Sequence, residues 1–572
     1  MRLFAEHAVR RTLDLGGQWD FVAAPDAAEK DSAGLPTALP GRMQVPACWE
    51  SHPRLRTYRG KAWYRRTLAQ PADGPLRLVF KGVSHTGRIF LDRREVGRHY
   101  NAYTAFEIAL PNVEAGDHEL LVEVDNSFGP HSALHIENDY YTYGGITRPA
   151  AAEFVRPQYI RFLHVTPRSS GGKGWAARLR VQVVNLADRP AAVRAAVELA
   201  GKTVDLGRAA LAPASIAWLE AEADFKDARP WSPEQPTLHL ARALLYAGNG
   251  ADPADDLADR IGFREVRVRG TEMLLNGRPM RLRGFNRHED HPTFGCAIPV
   301  EAMVHDMDLI QDLGANCVRT SHYPNDERWL DLCDERGLLV WEENHARGLG
   351  VEQMQHPRFR EQILACTREM VEQHHNHPSI VLWGILNECA SYAPEGRTHY
   401  QEQFDLLKQL DPSRPTTFAS CHWERERCFD LPDVIGFNMY PGWYRASTAE
   451  VPAVLEQLLK VIESGGGAGK PIILSEFGAG AIPGWRNPNR AYWTEEYQGD
   501  VLDADLACFL AHPRLAGAII WQFCDCRVTC TPAWAMCRPR TMNNKGVVDE
   551  YRRPKLAYDV VRRRFRNADG KA

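Results

Sequence analysis

Two short apolar runs in this chain each stop at a glutamate. The stretch His377-Pro378-Ser379-Ile380-Val381-Leu382-Trp383-Gly384-Ile385-Leu386-Asn387-Glu388 has a continuous apolar middle, which reads as a strand buried on both faces, and then two polar side chains. Lys470-Pro471-Ile472-Ile473-Leu474-Ser475-Glu476-Phe477-Gly478 repeats the pattern. Taken singly, the first stretch also admits a plainer reading, a glutamate that opens a loop. Taken together, two carboxylates facing one cleft are what glycoside hydrolysis needs. One is protonated and delivers a proton to the leaving oxygen; the other is ionised and attacks the sugar carbon. Sharing a site drives their pKa values apart, because adjacent negative charges repel.

Such placement requires parallel strands, whose C-terminal ends are where catalytic groups project in an α/β barrel. From about residue 266 the pattern alternates strands with helices, and the spacing predicts eight strands: 281–286, 316–320, 337–342, 380–387, 415–420, 434–439, 471–476 and 517–523. Before the fourth, Phe359, Ile363, Cys366 and Met370 fall at helical spacing between Pro357 and Gln373. Another helix is marked by Asn325 as a cap, Asp326 and Glu327 at its positive end and Gly337 at its close. Polar residues gather where the strands end: Asn286-Arg287-His288-Glu289-Asp290, Arg319-Thr320-Ser321-His322-Tyr323, Glu342-Glu343-Asn344, Asn438 with Tyr440, Trp443 and Tyr444, and Trp521. A lone His or Tyr is usually structural; clusters at one end of so many strands indicate a functional rim.

The rest of the chain is β-rich. Residues 1–165 hold many short strand-like segments with turn signals, the pattern of a jelly roll. Its loop 128–148 is dense in aromatic and polar side chains, including Asp139, and fits either sugar binding or an ordinary interdomain connection. Residues 166–265 alternate more plainly and match an immunoglobulin-like sandwich with no visible chemistry. The expected architecture is therefore a jelly roll (1–165), an immunoglobulin-like β-sandwich (166–265) and a (β/α)8 TIM barrel (266–572).

The totals narrow the class. The 572 residues exceed one domain, and 69 Lys plus Arg against 73 Asp plus Glu argue against nucleic acid as the partner. Thirteen Cys without a regular framework indicate free thiols in a reducing, cytoplasmic compartment. Cys524, Cys526, Cys530 and Cys537 crowd together, but not at a standard zinc spacing. No apolar run approaches the roughly 18 residues of a membrane span, and no signal peptide is visible between Met1 and Asp20.

At these residues the sequence resembles glycoside hydrolase family 2, the β-galactosidase, β-mannosidase and β-glucuronidase group. The carriers are Arg283-Gly284-Phe285-Asn286-Arg287-His288-Glu289-Asp290, Gly314-Ala315-Asn316-Cys317-Val318-Arg319-Thr320-Ser321-His322-Tyr323-Pro324, Asn387-Glu388 and Ser475-Glu476-Phe477-Gly478. The resemblance covers nearly the whole chain. It implies Glu388 as acid/base, Glu476 as nucleophile and net retention of anomeric configuration. Within the family the sequence looks most like the β-glucuronidase group. Asp139-Tyr140-Tyr141-Thr142-Tyr143-Gly144-Gly145-Ile146 resembles the jelly-roll loop that enters that group's active site through its Asp. Asn438-Met439-Tyr440-Pro441-Gly442-Trp443-Tyr444 is similar to its strand-six segment, and Asn543-Asn544-Lys545-Gly546 matches its Asn-x-Lys motif for the uronate carboxylate. An ammonium beside an amide suits a carboxylate: one charge-assisted hydrogen bond and one neutral bond.

The resemblance implies a substrate-binding set of Asp139, His288, Asn387, Tyr440, Tyr444, Trp521, Asn543 and Lys545, a glucuronide or uronate-terminated oligosaccharide as substrate, no cofactor or metal, and a homodimer or homotetramer. Arg538 and Arg540 lie near enough in sequence to add positive potential, with nothing to choose between them. Three departures stand out. Cys389 replaces the usual Pro after Asn-Glu, the loop after Asn344 is short, and the segment Cys524–Thr541 is longer than in the familiar enzymes. The last bears on recognition of the sugar's 4-hydroxyl, and so on glucuronate against galacturonate. The activity implied is that of a retaining, exo-acting β-glucuronidase that releases a terminal β-D-glucuronate by double displacement; a β-galacturonidase, a β-galactosidase and a non-catalytic carbohydrate-binding protein are the alternatives.

Overall fold

The computed structural model describes residues 2–27, 29–172 and 174–568. The first part packs a four-stranded sheet (Arg11–Asp14, Ala150–Phe154, Gly74–Phe80, Phe106–Val113) on a six-stranded one built around Lys61–Gln70 and Gly116–Asp125. Those two central strands pair antiparallel along their whole length. Trp19, Tyr64, Leu76, Leu78, Phe80, Leu120 and Val122 interleave between the sheets as one core. The sandwich follows as sheets of three and four strands, closed on Leu179, Val181, Val183, Val193, Val197, Leu219 and Leu245. Its first strand, Gln158–Ser169, already starts ahead of residue 166.

The barrel is closed by eight parallel strands: Leu282–Asn286, Cys317–Arg319, Leu339–Glu343, Ile380–Ile385, Thr416–Ser420, Val434–Asn438, Ile472–Glu476 and Leu515–Ile520. Six of the eight predicted runs are trimmed at one or both ends; the third is shifted to end at Glu343 and the eighth to begin at Leu515, and strand one pairs with strand eight to close the circle. Strand four is buried at every position, as its unbroken apolar run requires. The helix before it, Phe359–His374, buries Phe359, Ile363, Cys366 and Met370 once per turn. The helix Glu327–Arg336 is capped by Asp326, whose carboxylate accepts the Arg328 N–H, and not by Asn325. Asn325 instead donates to the Tyr323 carbonyl. Gly337 closes this helix at φ 71°, the left-handed region glycine enters without strain.

Among the described residues no cysteine is paired in a disulfide. Cys524 and Cys526 are buried while Cys530 and Cys537 are exposed, and among the described residues the four are not gathered closely enough to hold one metal ion. Among the described residues no helix is long and apolar enough to cross a membrane.

Buried ion pairs stitch the domains together. Arg10 reaches Glu153 of the first domain at 2.7 Å and Asp255 of the sandwich at 2.6 Å. Arg148 joins Glu289 behind barrel strand one at 2.8 Å. Removing one partner of such a pair leaves an uncompensated buried charge, a loss of about 3–5 kcal/mol. Arg10→Met should therefore lower the thermal transition of the β domains by that order, with Arg10→Lys intermediate; a melting curve for Arg10→Met that overlays the parent's would remove Arg10 as a stitch.

Candidate active site

Glu388 lies three residues past the end of strand four, on a strained turn. Leu386 and Glu388 both have left-handed backbones, φ 47° and 50°, which cost non-glycine residues roughly 1–3 kcal/mol each. Four hydrogen bonds hold the turn. Glu388 N–H donates to the Ala419 carbonyl of strand five (2.9 Å), Gly348 N–H to the Asn387 carbonyl (2.8 Å), the Tyr400 hydroxyl to the Leu386 carbonyl (2.6 Å), and Leu386 N–H to Asn344 Oδ1 (3.0 Å). The result lifts the Glu388 carboxylate out of the strand and into the barrel mouth. Its Oε1 accepts the Asn438 amide at 2.9 Å, and its Oε2 lies 3.6 Å from the Arg347 guanidinium.

Glu476 ends strand seven and is 4% exposed. The Tyr440 hydroxyl donates to its Oε2 (2.7 Å) and Arg319 Nη1 to its Oε1 (3.0 Å). Arg319, fully buried, also forks onto Glu343 (2.8 and 3.0 Å) and donates to Asn387 Oδ1 (2.7 Å) and Asn286 Oδ1 (2.9 Å). Asn387 and Asn438, themselves 3.3 Å apart, complete a polar bridge from Glu476 to Glu388. Burial and the charge of Glu388 push the Glu476 carboxyl up to about 7, against the pull of Arg319 and Tyr440. The ionic and hydroxyl donors thus converge on Glu476, while Glu388 takes one neutral amide.

Trp521 forms a wall, stacked on His322 (centroids 4.9 Å, 15°) and edge-on to His288 (5.3 Å, 87°). His288 is held through Nδ1 by the Tyr323 hydroxyl, and His322 through Nδ1 by Glu343. Burial keeps both rings neutral, lowering His288 to about 3 and His322 well below its ordinary value. Their Nε2 atoms, Asn387 Nδ2 and Asn543 Oδ1 are buried without a protein partner. Buried polar atoms are nearly always satisfied, so this set is a ready complement to sugar hydroxyls.

Opposite, the loop from the first domain delivers Asp139. Arg538 meets it bidentately (2.8 and 2.6 Å) and Asn543 donates to it at 3.0 Å. Against burial, Arg538 holds this carboxyl below its usual range. Arg540 goes elsewhere, to Glu550, so the structure chooses between the two arginines. Lys545 is 2% exposed; its ammonium donates to the Tyr444 hydroxyl at 2.9 Å and lies 5.0–5.8 Å from the rings of Tyr444, Trp443 and Tyr440. Tyr444 itself is 60% exposed at the rim.

The ten residues singled out in the sequence therefore converge on one barrel mouth, with one adjustment: an Asn543 N–H, expected to be free for a carboxylate, is engaged by Asp139. Reading the sequence did not assign Arg319, Asn438, Arg347 or Arg538. The first two sit at strand ends among the polar clusters and carried a signal; Arg347, in a short loop after strand three, carried none.

Residues 266–569 match the glycosyl hydrolases family 2 TIM barrel domain and residues 13–152 the family 2 sugar binding domain. The chain belongs to glycoside hydrolase family 2. Among solved family 2 enzymes, the β-galacturonidase of Eisenbergiella tayi bound to galacturonate superposes with a TM-score of 0.93 at 46% identity, covering 99% of both chains. A β-glucuronidase of Ruminococcus gnavus in complex with a C6-substituted uronic isofagomine gives 0.85 at 26% identity, again over 99% of each. The β-glucuronidase of Streptococcus agalactiae is 28% identical across 97% of this chain and 96% of its own.

A native pKa of about 7 for Glu476, raised from 4.5, means the folded enzyme holds this proton more tightly than the unfolded chain does. The contribution is fully present below pH 4.5 and is lost as pH rises through 7, leaving a cost on the order of 3 kcal/mol above it. Glu476→Gln should then melt higher than the parent at pH 8, with the gap closing toward pH 5. A Gln variant that melts lower at pH 8 would contradict the buried, strained carboxylate.

Proposed function

We propose that this family 2 hydrolase is a retaining, exo-acting β-D-uronidase. One observation carries the substrate class. Lys545 is a buried ammonium with no carboxylate of the protein within ion-pair distance among the described residues, only the Tyr444 hydroxyl and three aromatic faces. A buried charge without a counter-charge is costly, and a sugar carboxylate at C6 supplies what is missing. A neutral hexose, with a hydroxymethyl there, does not.

The chemistry follows from the donor sets. Arg319 and Tyr440 stabilise Glu476 as the anion that attacks the anomeric carbon, while Glu388 gives its proton to the departing oxygen. Once Glu476 is esterified its charge is gone, and Glu388, now ionised, deprotonates the water that releases the sugar with retention. Asn387, whose Oδ1 is fixed by Arg319, keeps its unpartnered N–H for the 2-hydroxyl. Trp521, His288 and Asp139 shape the sugar's remaining faces.

Glucuronate and galacturonate differ only in the orientation of the 4-hydroxyl. Galacturonide is favoured by the 46% identity to the Eisenbergiella tayi enzyme, against 25–29% for the β-glucuronidases compared with this chain. The long segment that delivers Arg538 to Asp139 adds a local reason for a distinct reading of that hydroxyl. Glucuronide is the second reading, carried by the Asn543-x-Lys545 motif and by full-length likeness to β-glucuronidases.

A panel of nitrophenyl β-galacturonide, glucuronide, galactoside and glucoside tests both levels. Either uronide should be cleaved far faster than either neutral glycoside, with galacturonide first; a galactoside turned over as well as its uronide sinks the proposal. Lys545→Ala should lower kcat/KM on the uronides by about 10- to 100-fold, the worth of a charge-assisted hydrogen bond. Equal losses on uronide and glucoside would remove its role. Glu476→Gln should stay folded and show no turnover.

A further inference from the structure

Two sulfurs meet where the sugar-binding domain rests on the barrel. Cys48 Sγ and Cys296 Sγ lie 3.5 Å apart. Cys48 belongs to the first domain and is 1% exposed; Cys296 stands in the barrel loop that follows strand one and is half-buried. The close approach is built into the backbone. That loop turns back on itself, with the Gly295 N–H on the His291 carbonyl (2.8 Å) and Gly295 at φ 57°. A side chain at Gly295 would come within 2.8 Å of both the Cys48 sulfur and the Tyr143 ring, so the glycine is what lets the two segments pack.

The pair sits at the root of the loop that brings Asp139 to the pocket. On either side of Cys48, the Ala47 N–H donates to the Ile146 carbonyl and the Trp49 N–H to the Gly144 carbonyl, both at 2.9 Å. Tyr141 and Tyr143, which follow Asp139, form one apolar cluster with Cys48, and Cys296 packs against it. The Tyr143 hydroxyl also donates to Asp290, two residues past His288 (2.9 Å). A covalent bond between the sulfurs would therefore tie the base of the Asp139 loop to the barrel loop that carries Cys296. The two thiols differ in reach. Cys296 is open to a small reagent. Burial, and then the adjacent Cys296 sulfur, push the Cys48 thiol well above its ordinary value, which leaves it inert to all but a neighbouring sulfur.

We propose that Cys48 and Cys296 are a redox modification site, at which low-molecular-weight disulfides install a reversible interdomain disulfide that locks the Asp139 loop onto the barrel. Cys296 gives its proton to water and attacks one sulfur of the reagent, whose other half leaves as a thiol. Cys48 then loses its proton and attacks the Cys296 sulfur, expelling the second half as a thiol. Two protein thiols are oxidised, one small disulfide is reduced to two thiols, and no atom of the reagent remains. Closing the bond draws the sulfurs together by roughly 1.5 Å.

The test incubates the folded, full-length enzyme with hydroxyethyl disulfide, alkylates the remaining thiols and maps the unreduced peptides. The expected result is a linked peptide pair holding Cys48 and Cys296, with a thermal transition above that of the reduced parent. Dithiothreitol should return both to the starting state. Cys296→Ser should show neither the linked pair nor the upward shift, whichever other cysteines react. A parent in which Cys296 stops at the mixed disulfide, or in which Cys48 is recovered as a free thiol, overturns the proposal. So does a linked enzyme that melts no higher than the reduced one. The peptide map of the parent decides the bond even if the Ser variant does not fold.

Discussion

A single guanidinium organises this active site. Arg319, at the end of barrel strand two, is fully buried and donates all five N–H groups, to Glu343, Glu476, Asn387 and Asn286. Those acceptors come from strands one, three and seven and from the turn after strand four. One charge thus sets the rotamers of the proposed nucleophile and of the asparagine beside the proposed acid. It also explains how two carboxylates, Glu343 and Glu476, coexist in a dry barrel mouth. Without Arg319 both would face the desolvation that already raises them.

The site is a joint product of two domains. The barrel alone supplies Glu388, Glu476, Lys545 and Trp521, but Asn138 and Asp139 arrive on a loop of the sugar-binding domain and are received by Arg347, Arg538 and Asn543. Arg148 to Glu289 fastens that domain just behind strand one. Among the described residues the sandwich contributes none of the side chains named around the pocket. Its part is indirect, through Asp255 on Arg10 and through Asn376 and His375 of the segment leading into strand four, which take hydrogen bonds with Leu163 and Thr166.

The barrel was readable in the sequence because each strand is an apolar run buried on both faces and stopped by polar residues, a pattern that few other structures produce. Both glutamates were readable for the same reason. What escaped was what depends on side chains meeting across the chain. Asp326 rather than Asn325 caps its helix because one carboxylate can take the Arg328 N–H while Asn325 turns to Tyr323. Arg538 and Arg540 are indistinguishable by type and separate only when one faces Asp139 and the other Glu550. Arg347 stands in a short irregular loop and has no periodicity to betray it. The Asn543 amide was legible as a polar group, yet not its bond to a residue some four hundred positions earlier.

The central claim is that Glu476 attacks the sugar. Incubation with a 2-deoxy-2-fluoro uronosyl fluoride, which forms the glycosyl-enzyme faster than water can clear it, followed by peptide mass mapping, addresses it directly. The account predicts one equivalent of sugar covalently bound to Glu476 itself. Inactivation with the label on Glu388 or Glu343, or rapid turnover of the reagent by the Glu476→Gln enzyme, would contradict it.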